Sequence, residues 1–149
     1  MVKYYKILMA VGFSVVTSLA VSADYEVKML NNGSDGFMVF EPAVLSIDVG
    51  DTVNFVATDM GHNAASIEGM IPAGAASWTG LNNTDISVTF DQAGVYAYQC
   101  TPHAMMAMVG VINVGQGKAN LAAVKTAAAS KKTSFVTNQD RLDGYLAQL

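Results

Sequence analysis

The sequence predicts an all-β protein, a sandwich or barrel of short strands with two short helices at its C-terminal end. Three observations carry that reading. Apolar runs of five or six residues recur between Tyr25 and Val114, turn residues such as Asn31-Asn32-Gly33 and Asp91-Gln92-Ala93-Gly94 separate them, and the composition shifts after Gly117 to Ala- and Leu-bearing runs at helical spacing.

The first segment is of a different kind. Lys3 and Lys6 precede an uncharged run of 15 residues, Ile7 to Val21, and the small residues Val21-Ser22-Ala23 follow. Basic start, apolar middle and small-residue end are the pattern of an export signal, and the run is shorter than the ~20 residues a helix needs to cross a bilayer. Cleavage is expected after Ala23, leaving one domain over 24–149, with the sandwich at 24–117 and a helical extension at 118–149. No later segment is apolar enough to insert in a membrane.

Within the sandwich, strands are expected at Tyr25–Leu30, Val44–Val49 and Thr52–Ala57, then at Ile86–Phe90, Val95–Cys100 and Val109–Val114. In Thr52–Ala57 the residues Val53, Phe55 and Ala57 share one face, as do Ile86, Val88 and Phe90 later, which is the period of a half-buried strand. The Gly- and Ala-rich stretch Ala64–Asn83 reads as loop with a short helical turn. In the extension, Asn120 is placed to cap a helix carrying Leu121 and Val124. A second helix has Leu142, Tyr145, Leu146 and Leu149 on one stripe. Helices this short need a surface to pack on, so both are expected to lie against the sandwich.

Charge narrows the function classes. Of 149 residues, 8 are Lys or Arg and 12 are Asp or Glu. Two of those basic residues leave with the signal, so the mature chain carries 6 against 12, a net −6. Nucleic acid is excluded as a partner, since phosphate contacts need clustered cations.

Export makes the single cysteine informative, because exported proteins usually pair their thiols. Cys100 is an inert buried thiol, half of an intermolecular disulfide, or a thiolate held by a metal. Its neighbours favour the third. Cys100-Thr101-Pro102-His103 and Met108 form Cys-x2-His-x4-Met in a turn between two predicted strands. The other histidine, His62, lies 38 residues upstream at a strand end. A thiolate and two imidazoles in a near-plane with a weak thioether beyond them is the donor set of a blue-copper electron-transfer site. The thiolate bonds strongly to copper, imidazole suits both oxidation states, and a rigid compromise geometry keeps reorganisation on electron transfer small. Protein fills every position, which argues against an enzyme, and a closed structural zinc site would need more Cys and His than the chain has. A copper chaperone or copper-sequestering protein is the alternative, its Met-rich turn then serving Cu(I) transfer.

These residues, together with Gly61-His62-Asn63, resemble the type 1 copper proteins, the pseudoazurins most closely. Phe37-Met38-Val39-Phe40-Glu41-Pro42-Ala43 and Ala119-Asn120-Leu121 extend the likeness over the mature chain. Plastocyanins share the loop spacing but lack the two helices, amicyanin-like proteins have a shorter His-to-Met interval, and azurin-like ones a longer Cys-to-His interval. The resemblance implies a Greek-key cupredoxin sandwich of about eight strands in the periplasm, with one copper ion at His62, Cys100, His103 and Met108. It implies single-electron shuttling to a redox partner, commonly copper nitrite reductase, with a cytochrome as another candidate. Asn63 and Thr101 match positions that tie the His62 loop to the ligand turn. Pro102 has no N–H to donate toward the thiolate, which leaves more electron density on sulfur and lowers the reduction potential. Pro102→Ala is therefore expected to raise the potential in a voltammetric titration, and an unchanged or lower value would count against this account.

The same resemblance puts the electron port at the His103 ring edge, inside an apolar docking patch of Met38, Pro102, His103 and Met106, with Met105 open between patch and core. It also exposes a departure. Pseudoazurins ring this patch with lysines, whereas the positions before Gly61-His62 and before Cys100 are Met60 and Gln99, and Met29–Gly117 holds no Lys or Arg against eight acidic residues.

Overall fold

A computed structural model describes residues 21–149. The export-signal reading falls for the most part on residues 1–20, outside the described residues. Eight strands build two four-stranded sheets. One sheet has the order β2 (Gly36–Glu41), β1 (Asp24–Gly33), β4 (Thr52–Val56), β6 (Ile86–Thr89). The other has the order β3 (Val44–Ile47), β8 (Val109–Val114), β7 (Gly94–Gln99), β5 (Ala65–Ser66). Pairs β1–β4 and β3–β8 are parallel and the remaining pairs antiparallel. The sheets face each other as an open sandwich and do not close into a barrel.

Strand alternation explains the main core. Val27 and Met29 of β1 and Val53 and Phe55 of β4 turn inward, while Glu26 and Lys28 face water. They meet Tyr96 and Tyr98 of β7 and Ile112 and Val114 of β8, with Trp78 between. β7 and β8 lack that alternation because both of their faces are covered. Their opposite face, with Val95, Ala97, Val109 and Val111, packs on Val124, Ala128, Phe135, Leu142, Tyr145 and Leu146 of the extension. Helices α1 (Leu121–Lys132) and α2 (Arg141–Leu146) thus lie on the sandwich, as their apolar stripes require.

Four local expectations are corrected. Asn31-Asn32-Gly33 does not close β1. That strand runs on to Gly33, and Ser34-Asp35 forms the turn before Gly36, whose φ of +100° suits glycine. β2 is an additional strand, missed because its run Phe37–Phe40 shows no alternation. Ala64–Asn83 contains no helical turn; β5 and a bridge between Ala65 and Thr79 hold it to the sheet, with Ser66 N–H donating to the Trp78 carbonyl at 3.0 Å. Asn120 precedes α1 but its side chain makes no cap. Its Oδ1 accepts the Val95 N–H and its Nδ2 donates to the Val95 carbonyl, both at 2.8 Å, clamping the start of the extension to β7.

Buried Asp51 anchors the start of β1, accepting the N–H of Ala23 and of Asp48 at 2.8 Å each. Among the described residues, no helix is long and apolar enough to cross a membrane.

Candidate metal centre

His62, Cys100 and His103 meet at one end of the sandwich. Cys100 follows β7, so the strand period that turns Tyr98 into the core turns the thiol in as well, and it is fully buried. His62 follows β4 after Gly61, whose φ of +96° turns the chain inward. Asn83 fixes that turn: its Oδ1 accepts the Gly61 N–H at 2.5 Å and its own N–H donates to the His62 carbonyl at 2.8 Å.

The donor atoms form a small triangle. His62 Nδ1 lies 3.1 Å from His103 Nδ1, and Cys100 Sγ lies 3.6 Å from the first and 3.5 Å from the second. An ion bound at about 2.0–2.3 Å by two nitrogens and a sulfur in a plane spaces those donors roughly 3.5–3.7 Å apart. The observed triangle therefore fits one metal ion with little movement. Asn31 Oδ1 is 2.9 Å from His62 Nε2. A carbonyl oxygen accepts only, so Nε2 carries the proton and the Nδ1 lone pair is aimed at the triangle.

Met108 is fully buried in the same core as Cys100. Its carbonyl accepts the Cys100 N–H at 2.9 Å, and its N–H donates to the His103 carbonyl at 3.3 Å, which closes the turn with the thioether residue beside the thiol. Asn63 ties the two loops together. Its Oδ1 accepts the Thr101 N–H at 2.7 Å, and its Nδ2 donates to the Gly80 carbonyl at 3.0 Å and to Thr101 Oγ1 at 3.3 Å.

Burial lowers the His62 pKa below its ordinary value, the neighbouring His103 lowers it further, and Asp59 opposes both. Burial raises the Cys100 thiol, and the backbone N–H groups of Asn63 and His103 pull the other way. A bound cation would favour the thiolate and displace the thiol proton.

Pro102 is exposed and His103 and Met106 are half-buried at the mouth of the turn, while Met38 is half-buried against the main core. Met105 turns outward, 62% exposed. Sequence reading missed Asn31 and Asn83. Both are in Asn-rich turn-like stretches, and nothing local distinguishes an asparagine that holds a distant histidine from one that ends a strand. It also left Met60, Phe37 and Leu81 out of the apolar surface, although all three are large exposed apolar side chains.

The family model for copper-binding proteins of the plastocyanin/azurin family matches residues 27–115. A pseudoazurin of Paracoccus pantotrophus is 42% identical over 128 residues, covering 86% of this chain and 85% of that protein. The chain belongs to the pseudoazurin group of this family. The crystal structure of pseudoazurin from Methylobacterium extorquens superposes with a TM-score of 0.74 at 41% identity, covering 84% of this chain and 98% of that one. That from Hyphomicrobium denitrificans gives 0.76 at 33% identity, with 85% and 98% covered. Membership makes copper the cofactor and electron transfer, not catalysis, the role. His62, Cys100, His103 and Met108 have the arrangement of a type 1 copper site.

Proposed function

We propose that the chain is a periplasmic one-electron carrier whose copper cycles between Cu(I) and Cu(II), with His62, Cys100 and His103 as the strong ligands and Met108 as the weak axial one. The convergence of the three donor atoms within 3.1–3.6 Å carries the reading. Copper supplies the redox couple. The protein keeps the donors still: Asn31 orients His62, Asn63 and Thr101 join the two loops, and Asn83 holds the Gly61-His62 turn. Burial of Cys100, His62 and Met108 keeps water off the donors, while the half-buried His103 connects them to the surface. Ligands held this way need little rearrangement between oxidation states.

The test is a visible spectrum through a redox cycle of the copper-loaded protein. Intense colour when oxidised, reversible bleaching and retained metal are expected. A colourless protein that releases Cu(I) readily would instead make it a copper chaperone or sequestering protein.

Docking is proposed through the apolar surface at Met38, Pro102, His103 and Met106, extended by outward Met105, to a respiratory reductase such as copper nitrite reductase or to a cytochrome. Met60 and Gln99 stand where pseudoazurins carry lysines and Met29–Gly117 holds no Lys or Arg, so attraction does not come from a lysine ring around the ligand turn. Stopped-flow association rates against ionic strength read the partner's face. A rate that falls with salt marks a basic rim, and a nearly constant rate marks apolar docking.

Residues 1–23 are proposed to be the export signal. The mass of the mature chain reports the boundary: retention of Ala23, whose N–H meets Asp51 and whose carbonyl meets Thr52 N–H at 2.9 Å, would move it one residue earlier.

A further inference from the structure

The copper loop has an unusual set of backbone partners. From Cys100 to Ala104, four carbonyls are taken by N–H groups of the loop itself: Cys100 by His103, Thr101 by Ala104, His103 by Met106 and Met108, and Ala104 by Ala107. The short 3-10 turn Ala104–Met106 then ends, and the last carbonyls of such a turn have no partner within it. All three of the next carbonyls are taken by one segment, the α1–α2 connection and the first residue of α2. The Val136 N–H donates to Met105 O at 2.7 Å, Asn138 Nδ2 to Met106 O at 3.3 Å, and Arg141 Nη1 to Ala107 O at 3.1 Å. The residue after these three is Met108.

Arg141 does more than close that row. The same Nη1 donates to Met38 O at 3.0 Å, and Nη2 donates to Asp35 O at 3.1 Å. Met38 and Ala107 both sit in left-handed backbone, at φ of 52° and 55°, a conformation that persists in non-glycine residues only where the surroundings over-determine it. One planar guanidinium, with its donors in a fixed fork, thus joins the β1–β2 hairpin to the residue before the thioether. Its described hydrogen bonds go to carbonyl oxygens and none to a carboxylate.

We propose that Val136, Asn138 and Arg141 form a positioning element for the copper loop, and that Arg141 in particular sets where the Met108 thioether stands relative to the Cys100 thiol. The C-terminal extension then belongs to the metal site as well as to the core. This rests on Met108 as the axial ligand, so Met108→Leu is included in the test.

Four variants are compared with the unmodified chain: Arg141→Gln, Asn138→Ala, Met108→Leu, and Lys132→Gln. The last loosens the α1–α2 pair, where Lys132 meets Asp140 and Asp143, without touching the loop. Hydrogen exchange of residues 105–108 is read on the metal-free protein, and the balance of the visible bands and the rate of copper release to a chelator on the loaded one. Arg141→Gln should speed loop exchange and copper release by about tenfold, the scale seen when partners of metal ligands are removed, and should shift the band balance. Asn138→Ala, at an exposed residue that carries no core contact, should act in the same direction more weakly, and decides the matter if Arg141→Gln does not fold. Lys132→Gln should leave all three readouts unchanged. Unmodified loop exchange and band balance in Arg141→Gln, or in Asn138→Ala when that variant decides, would overturn the proposal, as would Lys132→Gln reproducing the same changes. If Met108→Leu leaves the bands unaltered, the axial-ligand assignment itself fails; if it alters them while Arg141→Gln does not, only the positioning role fails.

Discussion

Replacing Cys100 with serine is expected to abolish the intense visible absorption of the copper(II) protein while leaving the fold in place. The colour of such a site comes from charge transfer out of a soft thiolate sulfur, and no other described side chain at the triangle offers one: His62 and His103 contribute nitrogen, and Met108 a neutral thioether. A serine hydroxyl in the same buried position keeps its proton and is a hard, weak donor. The side chain shrinks slightly, so unfolding midpoints should move by no more than about 1–2 kcal/mol in stability, a normal single-site effect. The measurement is one absorption spectrum of the copper(II)-loaded variant beside a circular dichroism melt. Survival of the colour would remove Cys100 from the site.

The largest expected loss of stability comes from Gly110→Ala. Gly110 is paired with Tyr98 across β7 and β8, and a Cβ at that position would lie 2.3 Å from Tyr98 Cζ and Oη. The ring has nowhere to go, being fully buried with centroids 4.7 Å from Phe40 and 5.0 Å from Phe55. Overpacking of this kind costs about 1–3 kcal/mol or more, read as a fall in the urea midpoint. Gly144→Ala is the matching control. It lies in α2, where an added Cβ would meet nothing within 4 Å, and should gain about 0.5–1 kcal/mol from helix propensity alone. Equal midpoints for the two variants would show that Tyr98 is not held as tightly as its packing implies.

The ligand set was legible because it is local. Cys100, His103 and Met108 share one turn, and His62 is the only other histidine, so four residues and one spacing sufficed. The half-buried strands were legible wherever one face meets water, as in β1 and β4, since solvent imposes alternation on them. That signal vanishes in β2, and in β5 the chain pairs over two residues only, held by contacts to Trp78 and β7 that no short window contains. Asn120 shows the same limit. Its residue type announces a helix start, yet its amide is spent on Val95, 25 positions back.

Composition, a single turn and one isolated histidine were enough to show an acidic chain carrying a copper-type donor set, because residue chemistry and short spacing are properties of the chain itself. The triangle of donors 3.1–3.6 Å across, the asparagines that aim and brace it, and the hold of Arg141 on the turn came only with tertiary structure. Each of those depends on a side chain meeting a group that is distant in sequence, and folding alone decides which distant groups become neighbours.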